Sequence, residues 1–191
     1  DEKWNYIPGT EEIIPCDSLL LSVGLIPENE LSRQAGVLID PITAGPFVDD
    51  GFQTNIPGLF SAGNVVHVYD LVDWVTEAGL IAGRSAARLV QNGPQKPGKT
   101  IAVKAGENVR YVVPHTLNPD HLSEGEIRLQ MRVRQPIEAP VWVEVRSGDH
   151  LLHRKGEPYA RPGEMVTIPL KPDLLDEVKA ASELSVAIVR R

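Results

Sequence analysis

The stretch TNIPGLFSAGNVVHVYDLVD, residues 54–73, runs from an apolar segment through small residues into a segment with two acids. Its residues 59–62 predict a buried strand, and the strand ends at Gly63 and Asn64. Small residues let a bulky group approach the backbone, and acids in a first helical turn complement the positive end of the helix dipole. The stretch therefore predicts a ligand site at a strand-to-helix junction.

Other segments of the first half extend this pattern of strands and helices. The near-continuous apolar run of residues 13–24 predicts a strand covered on both faces. A short helix is expected within residues 27–36, and residues 37–49 are expected to form a hairpin. Residues 71–91 predict a helix of five to six turns with a stripe of small residues suited to close packing.

The second half alternates apolar and polar residues with a period of two, which is typical of half-buried strands. The pattern covers residues 127–134, 141–146, 166–170 and 184–188. Tight turns are expected at residues 147–149 and 161–163, and a short helix or loop at residues 172–181. Strands at this spacing predict an all-β antiparallel sandwich of the immunoglobulin-like kind.

The two halves also differ in charge. Residues 1–100 contain 6 Lys and Arg against 13 Asp and Glu, whereas residues 101–191 contain 13 of each. An acidic first half argues against nucleic-acid binding there, because phosphate contacts need clustered basic residues. The Pro- and Gly-rich segment 91–109 marks a boundary. We predict a first domain at residues 1–95, a linker at 96–107 and a β-sandwich at 108–191.

Several features of the sequence bear on its cellular location. No apolar run approaches the length of a membrane span, and the N-terminal residues lack the features of a signal peptide. The single cysteine, Cys16, excludes an internal disulfide and any cysteine-rich metal site. A cytoplasmic protein without a metal site is expected.

The first half resembles the C-terminal part of the FAD-binding domain of FAD/NAD(P)-dependent pyridine nucleotide–disulfide oxidoreductases, most closely bacterial ones. The second flavin-binding signature of that family, Thr-x-x-Pro-Gly-hydrophobic-Phe-Ala-x-Gly-Asp, is matched by residues 54–64, with Ser61 for Ala and Asn64 for Asp. The apolar run 19–31 and the Gly/Ala-striped helix follow the family's order. The resemblance covers roughly residues 5–92.

The resemblance implies a Rossmann-like but incomplete flavin-binding region. FAD would be the cofactor of the parent protein and would be absent from this fragment or weakly bound by it. Gly63 and Asn64 would meet the ribityl or pyrophosphate part of the cofactor, and Val72, Asp73 and Trp74 would lie nearest the flavin pyrimidine edge. The helix dipole would stabilise negative charge on the reduced flavin. NAD(P)H would be the substrate, and catalytic residues are not identified.

Two family features are missing from the sequence. It contains neither of the Gly-x-Gly-x-x-Gly units that bind FAD and NAD(P)H, nor a redox cysteine pair. We therefore expect an inactive C-terminal fragment of a longer enzyme, lacking an N-terminal FAD/NAD-binding region. Faces that pack on that region would be exposed, so a homo-oligomer is expected. The sandwich is expected to be an assembly or docking module, with a partner oxidoreductase subunit as one expected partner.

Several alternatives stay open from the sequence. A non-catalytic binding or scaffold protein, with the sandwich as its functional module, is the rival function. His67 with Asp70 and Asp73 could be a metal triad or acid–base pair, although capping or solvated roles are favoured. A row of arginines on the second half is expected to be neutralised by interleaved glutamates. Trp142, on the polar side of its strand, suggests a docking face.

Overall fold

The computed structural model describes residues 5–21, 24–93 and 98–191. Its helices are α1 at Glu30–Gln34, α2 at Val72–Asn92 and α3 at Leu175–Ala180. A 3₁₀ turn at Gly63–Val65 precedes α2. The strands are β1 Ile101–Ala105, β2 Val109–Val113, β3 Thr116–Leu117, β4 Ile127–Val133, β5 Val141–Ser147, β6 His150–Glu157, β7 Val166–Leu170 and β8 Glu183–Arg190.

The second half of the chain consists of two sheets. The larger has five strands in the order β3-β1-β8-β5-β6, and the smaller has three in the order β2-β4-β7. Most pairs are antiparallel, but β1 runs parallel to β8. The predicted β-rich half is confirmed, whereas the expectation of purely antiparallel pairing is wrong because a crossover returns the chain to β1 in the same direction. The immunoglobulin-like assignment stays a prediction.

Two apolar cores divide the molecule into layers. The first lies between the two sheets, where the apolar residues of β4 at odd positions meet those of β5 and β8. The second lies on the outer face of the three-stranded sheet. There Tyr111 and Val113 pack against Val48, Phe52 and residues of the first half. The first half therefore packs against the three-stranded sheet of the sandwich.

Helix α2 is the main regular element of the first half, and its prediction is confirmed. Ala78 and Ala82 are buried in the second core, since their small side chains let the helix backbone lie close to the sheet. The neighbouring Gly79 and Gly83 are exposed, and a Cβ atom built on either would meet nothing within 4 Å. The helix ends at Gly93, whose φ of 71° suits glycine.

The two strands predicted in the first half are not formed. Residues 13–21 are irregular and exposed, with Ile13 at 91% and Leu20 at 93% exposure. A strand needs neighbours to satisfy its backbone groups, and no strand of the described ranges lies beside this segment. At residues 59–62 a single bridge, Gln53 to Phe60, replaces the predicted strand.

The shorter elements follow the sequence more closely. Helix α1 forms where expected, and Gly36 follows it with a φ of 80°. The expected hairpin is reduced to one antiparallel bridge between Ile39 and Pro46. The predicted turn at residues 147–149 joins β5 to β6, and α3 lies within the segment predicted as a short helix or loop.

Parts of some predictions fall outside the described residues. These are residues 22–23 of the first predicted strand, residues 1–4 of the first predicted domain, and the linker residues 96–97. The rest of the predicted linker contains β1, and the domain division itself stays a prediction. Of the helices in the described ranges, none has the length and apolar character needed to cross a bilayer.

Gly45 provides a test of the packing around the predicted ligand junction. A Cβ atom at Gly45 would lie 1.8 Å from the carbonyl oxygen of Val66, so Gly45→Ala must displace backbone. We expect it to lower the free energy of unfolding by roughly 2–3 kcal/mol in chemical denaturation. The control Gly83→Ala, in open space on α2, should raise it by about 0.5–1 kcal/mol. Equal effects would contradict the packing described.

Candidate functional site

The junction after residue 62 is a tight corner. Gly63 is buried, with a φ of 79° that favours glycine, and it opens the 3₁₀ turn. Asn64 is exposed, and its side-chain oxygen accepts a hydrogen bond from the Tyr69 amide at 3.1 Å. Asn64 therefore shapes the loop that leads to α2, while its side chain remains at the surface.

The first turn of α2 is open to solvent. Its N-cap residue, Leu71, makes no side-chain capping bond, so the first backbone N–H groups are not satisfied by a cap. Val72 is 75% exposed and Asp73 is also exposed. Trp74 is half-buried, with the guanidinium of Arg128 5.0 Å from its ring centre. Gly63 lies against this helix, since a Cβ atom there would be 3.4 Å from a side-chain methyl group of Val75.

Asp70 does not cap α2, contrary to one reading of the sequence. One of its carboxylate oxygens accepts a hydrogen bond from Arg132, and the other accepts one from the Met165 amide. Arg132 also donates to the Val68 carbonyl at 2.9 Å and to the Tyr111 hydroxyl at 3.2 Å. The acid that precedes the helix is therefore bound to the sandwich.

His67 lies inside this interface, at 1% exposure. Its ring centre is 4.2 Å from that of Tyr69 and 5.6 Å from that of Tyr111, both with edge geometry. Its Nδ1 is 3.4 Å from the Tyr111 hydroxyl, and its Nε2 has no hydrogen-bond partner among the described residues. Burial, helped by the positive charge of Arg132, lowers the pKa of His67 to about 3.

The metal reading of His67, Asp70 and Asp73 receives no support from these contacts. The ring of His67 is enclosed by two tyrosines, and Asp70 is held by Arg132. Within the described ranges, no group of three or more His, Cys, Asp and Glu side chains could hold a metal ion. His67 is instead a neutral, buried part of the contact between the two halves.

Two histidines of the sandwich make further contacts with acids of the first half. His115 Nε2 lies 3.2 Å from Asp40, while its Nδ1 accepts from the Val48 amide at 3.1 Å. Both ring nitrogens are therefore engaged. Burial alone would raise the pKa of Asp40, but the hydrogen bonds from His115 and from backbone amides outweigh it, so the pKa is lowered.

The second contact joins His121 to Asp50, with 2.5 Å between Nδ1 and the carboxylate. Asp50 is almost fully buried and also accepts from the Asn118 amide at 2.8 Å. The hydrogen bond that His121 donates to Asp50 outweighs burial and raises the pKa of His121. This contact therefore strengthens when His121 is protonated.

A cleft of about 320 Å³ opens between α2 and the sandwich beside this second contact. Its floor includes Phe52 and Ile81, and its rim carries Arg84, Arg88 and His121 together with several acids. Most of the rim charges form pairs across the cleft. Their mixed signs make the cleft part of the interface, and we assign it no ligand.

The arginine row of the second half has a different role from the one expected. Arg128 does pair with Glu126, as predicted for neighbouring glutamates, but it also donates two hydrogen bonds to Glu77 of α2. Arg132 pairs with Asp70 instead of a glutamate. The missed signal was the combination of an acidic first half with a basic face on β4.

Trp142 does not contact the first half in the described residues. It lies on the outer face of β5, with the guanidinium groups of Arg154 and Arg191 4.4 Å and 4.0 Å from its ring centre. Between the described halves, the contact runs through the opposite, three-stranded sheet. A partner at Trp142 stays a prediction.

Comparison with known proteins identifies relatives of the first half. A family profile described as pyridine nucleotide-disulphide oxidoreductase matches residues 1–111. A thioredoxin reductase of Listeria monocytogenes is 33% identical over 88 residues, covering 44% of this chain and 26% of that protein. A ferredoxin–NADP reductase of Ignicoccus hospitalis is 31% identical over 86 residues, covering 44% of this chain and 28% of that protein.

A third relative is the small chain of glutamate synthase [NADPH] from Escherichia coli, 34% identical over 90 residues, or 45% of this chain and 18% of that protein. The aligned part therefore spans little more than a quarter of these relatives, or less. No solved structure matches the chain.

His67 predicts an acid-dependent stability. Its native pKa of about 3 lies below the ordinary 6.5, so the unfolded chain binds a proton that the native chain excludes between these values. The neutral ring's contribution is fully present above pH 6.5 and is lost as pH falls toward 3. We expect a loss of roughly 3–5 kcal/mol over that window, measured by urea denaturation.

The matched variant is His67→Phe, which keeps an aromatic ring and removes the titration. Its stability should be nearly flat between pH 6.5 and about 4.5, above the range where most carboxylates titrate. The exposed His150→Gln variant should keep the slope of the unmodified chain. An equally steep slope in His67→Phe would assign the effect to other groups.

Proposed function

The chain belongs to the pyridine nucleotide-disulphide oxidoreductase family, and from this premise we propose that it is the C-terminal region of an FAD-dependent NAD(P)H oxidoreductase. The observation that carries the proposal is the corner at Gly63 and Asn64. After residues 66–71, the chain continues into the uncapped start of α2. The family signature in the sequence lies on this corner.

The corner fits the flavin that the family implies. Gly63 holds a positive φ where the backbone turns, and Asn64 presents an exposed amide that could bind the ribityl or pyrophosphate part. The free N–H groups at the start of α2 can donate to an electron-rich ring edge, and the helix dipole favours negative charge there. Val72, Asp73 and Trp74 would lie at that edge.

A bound flavin would supply the redox chemistry, accepting hydride from NAD(P)H and passing electrons to an acceptor. The residues described here would bind and orient it. Gly63 would allow close approach, Asn64 would hydrogen-bond, and the first turn of α2 would stabilise charge. The other half of the flavin site and the nicotinamide site would belong to an N-terminal region, so this chain alone would be inactive.

Exposed apolar side chains support such a covering region. They lie on the irregular segment, at Ile13, Leu20 and Ile26, and on the outer side of α2, at Val72 and Val90. Apolar patches of this kind mark interaction surfaces. In the longer protein, strands of the N-terminal region would pair with residues 13–21. A cytoplasmic location and a partner oxidoreductase subunit stay predictions.

The rival function is a non-catalytic binding or scaffold protein whose β-sandwich is the functional module. Such a module would use the outer face of β5. There the guanidinium groups of Arg154 and Arg191 lie over the Trp142 ring. Absence of flavin from the longer protein would favour this reading.

The exposed segment predicts self-association of the 191-residue chain, because it leaves apolar side chains in water. We expect light scattering to give a dimer or larger species, and replacement of Ile13 and Leu20 by Ser to shift the chain toward monomer. Replacement of the buried Val143 would unfold the sandwich and therefore cannot serve as a control. The conservative variant Thr167→Ser is the control instead. A monodisperse monomer before any substitution would contradict the prediction.

Flavin binding is tested in the longer protein that contains this chain. We expect it to purify with a flavin absorbance band that NADH or NADPH bleaches. Val72→Glu should weaken FAD binding at least tenfold, because its carboxylate would lie beside the electron-rich ring edge. An acid in the first turn does not destabilise a helix, so folding should be retained.

The isosteric Val72→Thr variant is the control and should keep FAD affinity within a factor of about three of the unmodified protein. A protein that is colourless and takes up no added FAD would overturn the proposed function. Equal FAD affinity in Val72→Glu and Val72→Thr would remove the start of α2 from the flavin site.

A further inference from the structure

Arg132 of β4 fastens the segment that leads into α2. Its guanidinium donates to the Val68 carbonyl at 2.9 Å and to the Asp70 carboxylate, and its Nε donates to the Tyr111 hydroxyl at 3.2 Å. The side chain is only 14% exposed. Because Val68 and Asp70 come just before Leu71, the N-cap, Arg132 ties the segment that leads into α2 to the sandwich.

The contact between Arg132 and Asp70 also compensates the negative charge of the Asp70 carboxylate. The carboxylate of Asp70 is two residues from the first residue of α2, and both of its oxygens are bound, one by Arg132 and one by the Met165 amide. The guanidinium compensates the negative charge of Asp70. An uncompensated carboxylate at this place would oppose negative charge at the helix start, and water would screen the interaction only in part, because the side chains of Arg132 and Asp70 are 14% and 27% exposed.

We propose that Arg132 is a positioning residue for the flavin, which holds the start of α2 against the cofactor and cancels the charge of Asp70. The proposal rests on the proposed function, since it requires a flavin at this helix start. Arg132 acts through Val68 and Asp70. The sandwich is then part of the machinery that sets the flavin's redox properties, and it is more than a docking module.

Arg128 on the same face of β4 serves as a comparison. It binds Glu77, more than one turn into α2, and lies over Trp74. It fixes the body of the helix, whereas Arg132 fixes the segment before it. Of these two arginines, Arg132 is the one whose partner is an acid that precedes the helix start.

The test measures the two-electron reduction potential of FAD bound to the longer protein. Arg132→Gln leaves Asp70 uncompensated, so the bound flavin should be harder to reduce. We expect its relative affinity for reduced over oxidised FAD to fall at least tenfold, which corresponds to about 30 mV. Asp70→Asn leaves Arg132 uncompensated and should shift the potential in the opposite direction.

The double variant, Arg132→Gln with Asp70→Asn, distinguishes a charge effect from a loss of structure. Removal of both charges should return the potential close to that of the unmodified protein. A merely structural contact would shift the potential in the same direction in both single variants, and the double variant would show about the same shift because either change already breaks the contact. Arg146→Gln, which breaks a pair with Glu144 on the other sheet, is the control and should leave the potential unchanged.

Hydrogen exchange gives a second readout in the 191-residue chain itself. The backbone amides of residues 68–76 should exchange faster in Arg132→Gln than in the unmodified chain. They should be unaffected in Arg146→Gln. Unchanged exchange at residues 68–76 would overturn the positioning role.

The outcomes separate this proposal from the proposed function. A longer protein that binds no flavin overturns both. A protein that binds flavin, but whose potential is the same in Arg132→Gln and Asp70→Asn or shifts in one direction in both, overturns the positioning role alone. If Arg132→Gln does not fold, the sign of the shift in Asp70→Asn decides.

Discussion

Acid–base pairs between the two halves of the chain hold this structure together. Four acids of the first half each pair with a basic residue of the sandwich. The pairs are Asp40 with His115, Asp50 with His121, Asp70 with Arg132, and Glu77 with Arg128. Several of these groups are buried, where breaking a pair leaves an unpaired charge and is costly. The first half has little regular structure apart from α2, so these contacts and the apolar core beneath them give it a defined shape.

This arrangement changes the meaning of the acids that follow the flavin-binding signature. In the sequence, Asp70 and Asp73 look like complements to a helix dipole. In the structure they have separate roles, since Asp70 binds the sandwich and Asp73 remains exposed in the first turn of α2. His67 likewise faces inward, between two tyrosines. The side of this stretch that faces the sandwich is thus occupied by contacts between the two halves, and the corner at Gly63 is where we propose that a ligand binds.

The sequence predicted the elements whose pattern is complete within themselves. Helix α2 has a long helical period and a terminal glycine, and β4, β5, β7 and β8 carry an aliphatic or Met side chain at every second position, except at the C-terminal ends of β5 and β8. Strand β6, HLLHRKGE, does not alternate, and the sequence predicted it only through the turn at residues 147–149 that comes before it. Within the apolar run 13–24, the strand prediction is wrong for residues 13–21. An apolar run indicates that a segment tends to be buried, but it does not show which strands would pair with it.

The site shows the same limit. Gly63 and Asn64 were identified as candidates because the family signature is local in sequence, and their role, like that of Val72, Asp73 and Trp74, stays a prediction. Arg132 was not recognised because its partners, Val68 and Asp70, are more than sixty positions away. Pairing over such a distance depends on how the sheet stacks on the first half. Single-sequence patterns carry no direct signal for that stacking.

The parallel pairing of β1 with β8 has a mechanical consequence. Ala102 to Ala105 lie in register with Glu183 to Val186, so tension entering at the start of β1 and leaving at the end of β8 would slide the two strands along each other. In that shear geometry the hydrogen bonds of the pair carry the load together and do not open one at a time. The sandwich should therefore be a stiff base, and strain between the two halves would be taken up in the first half, around the loop that leads into α2.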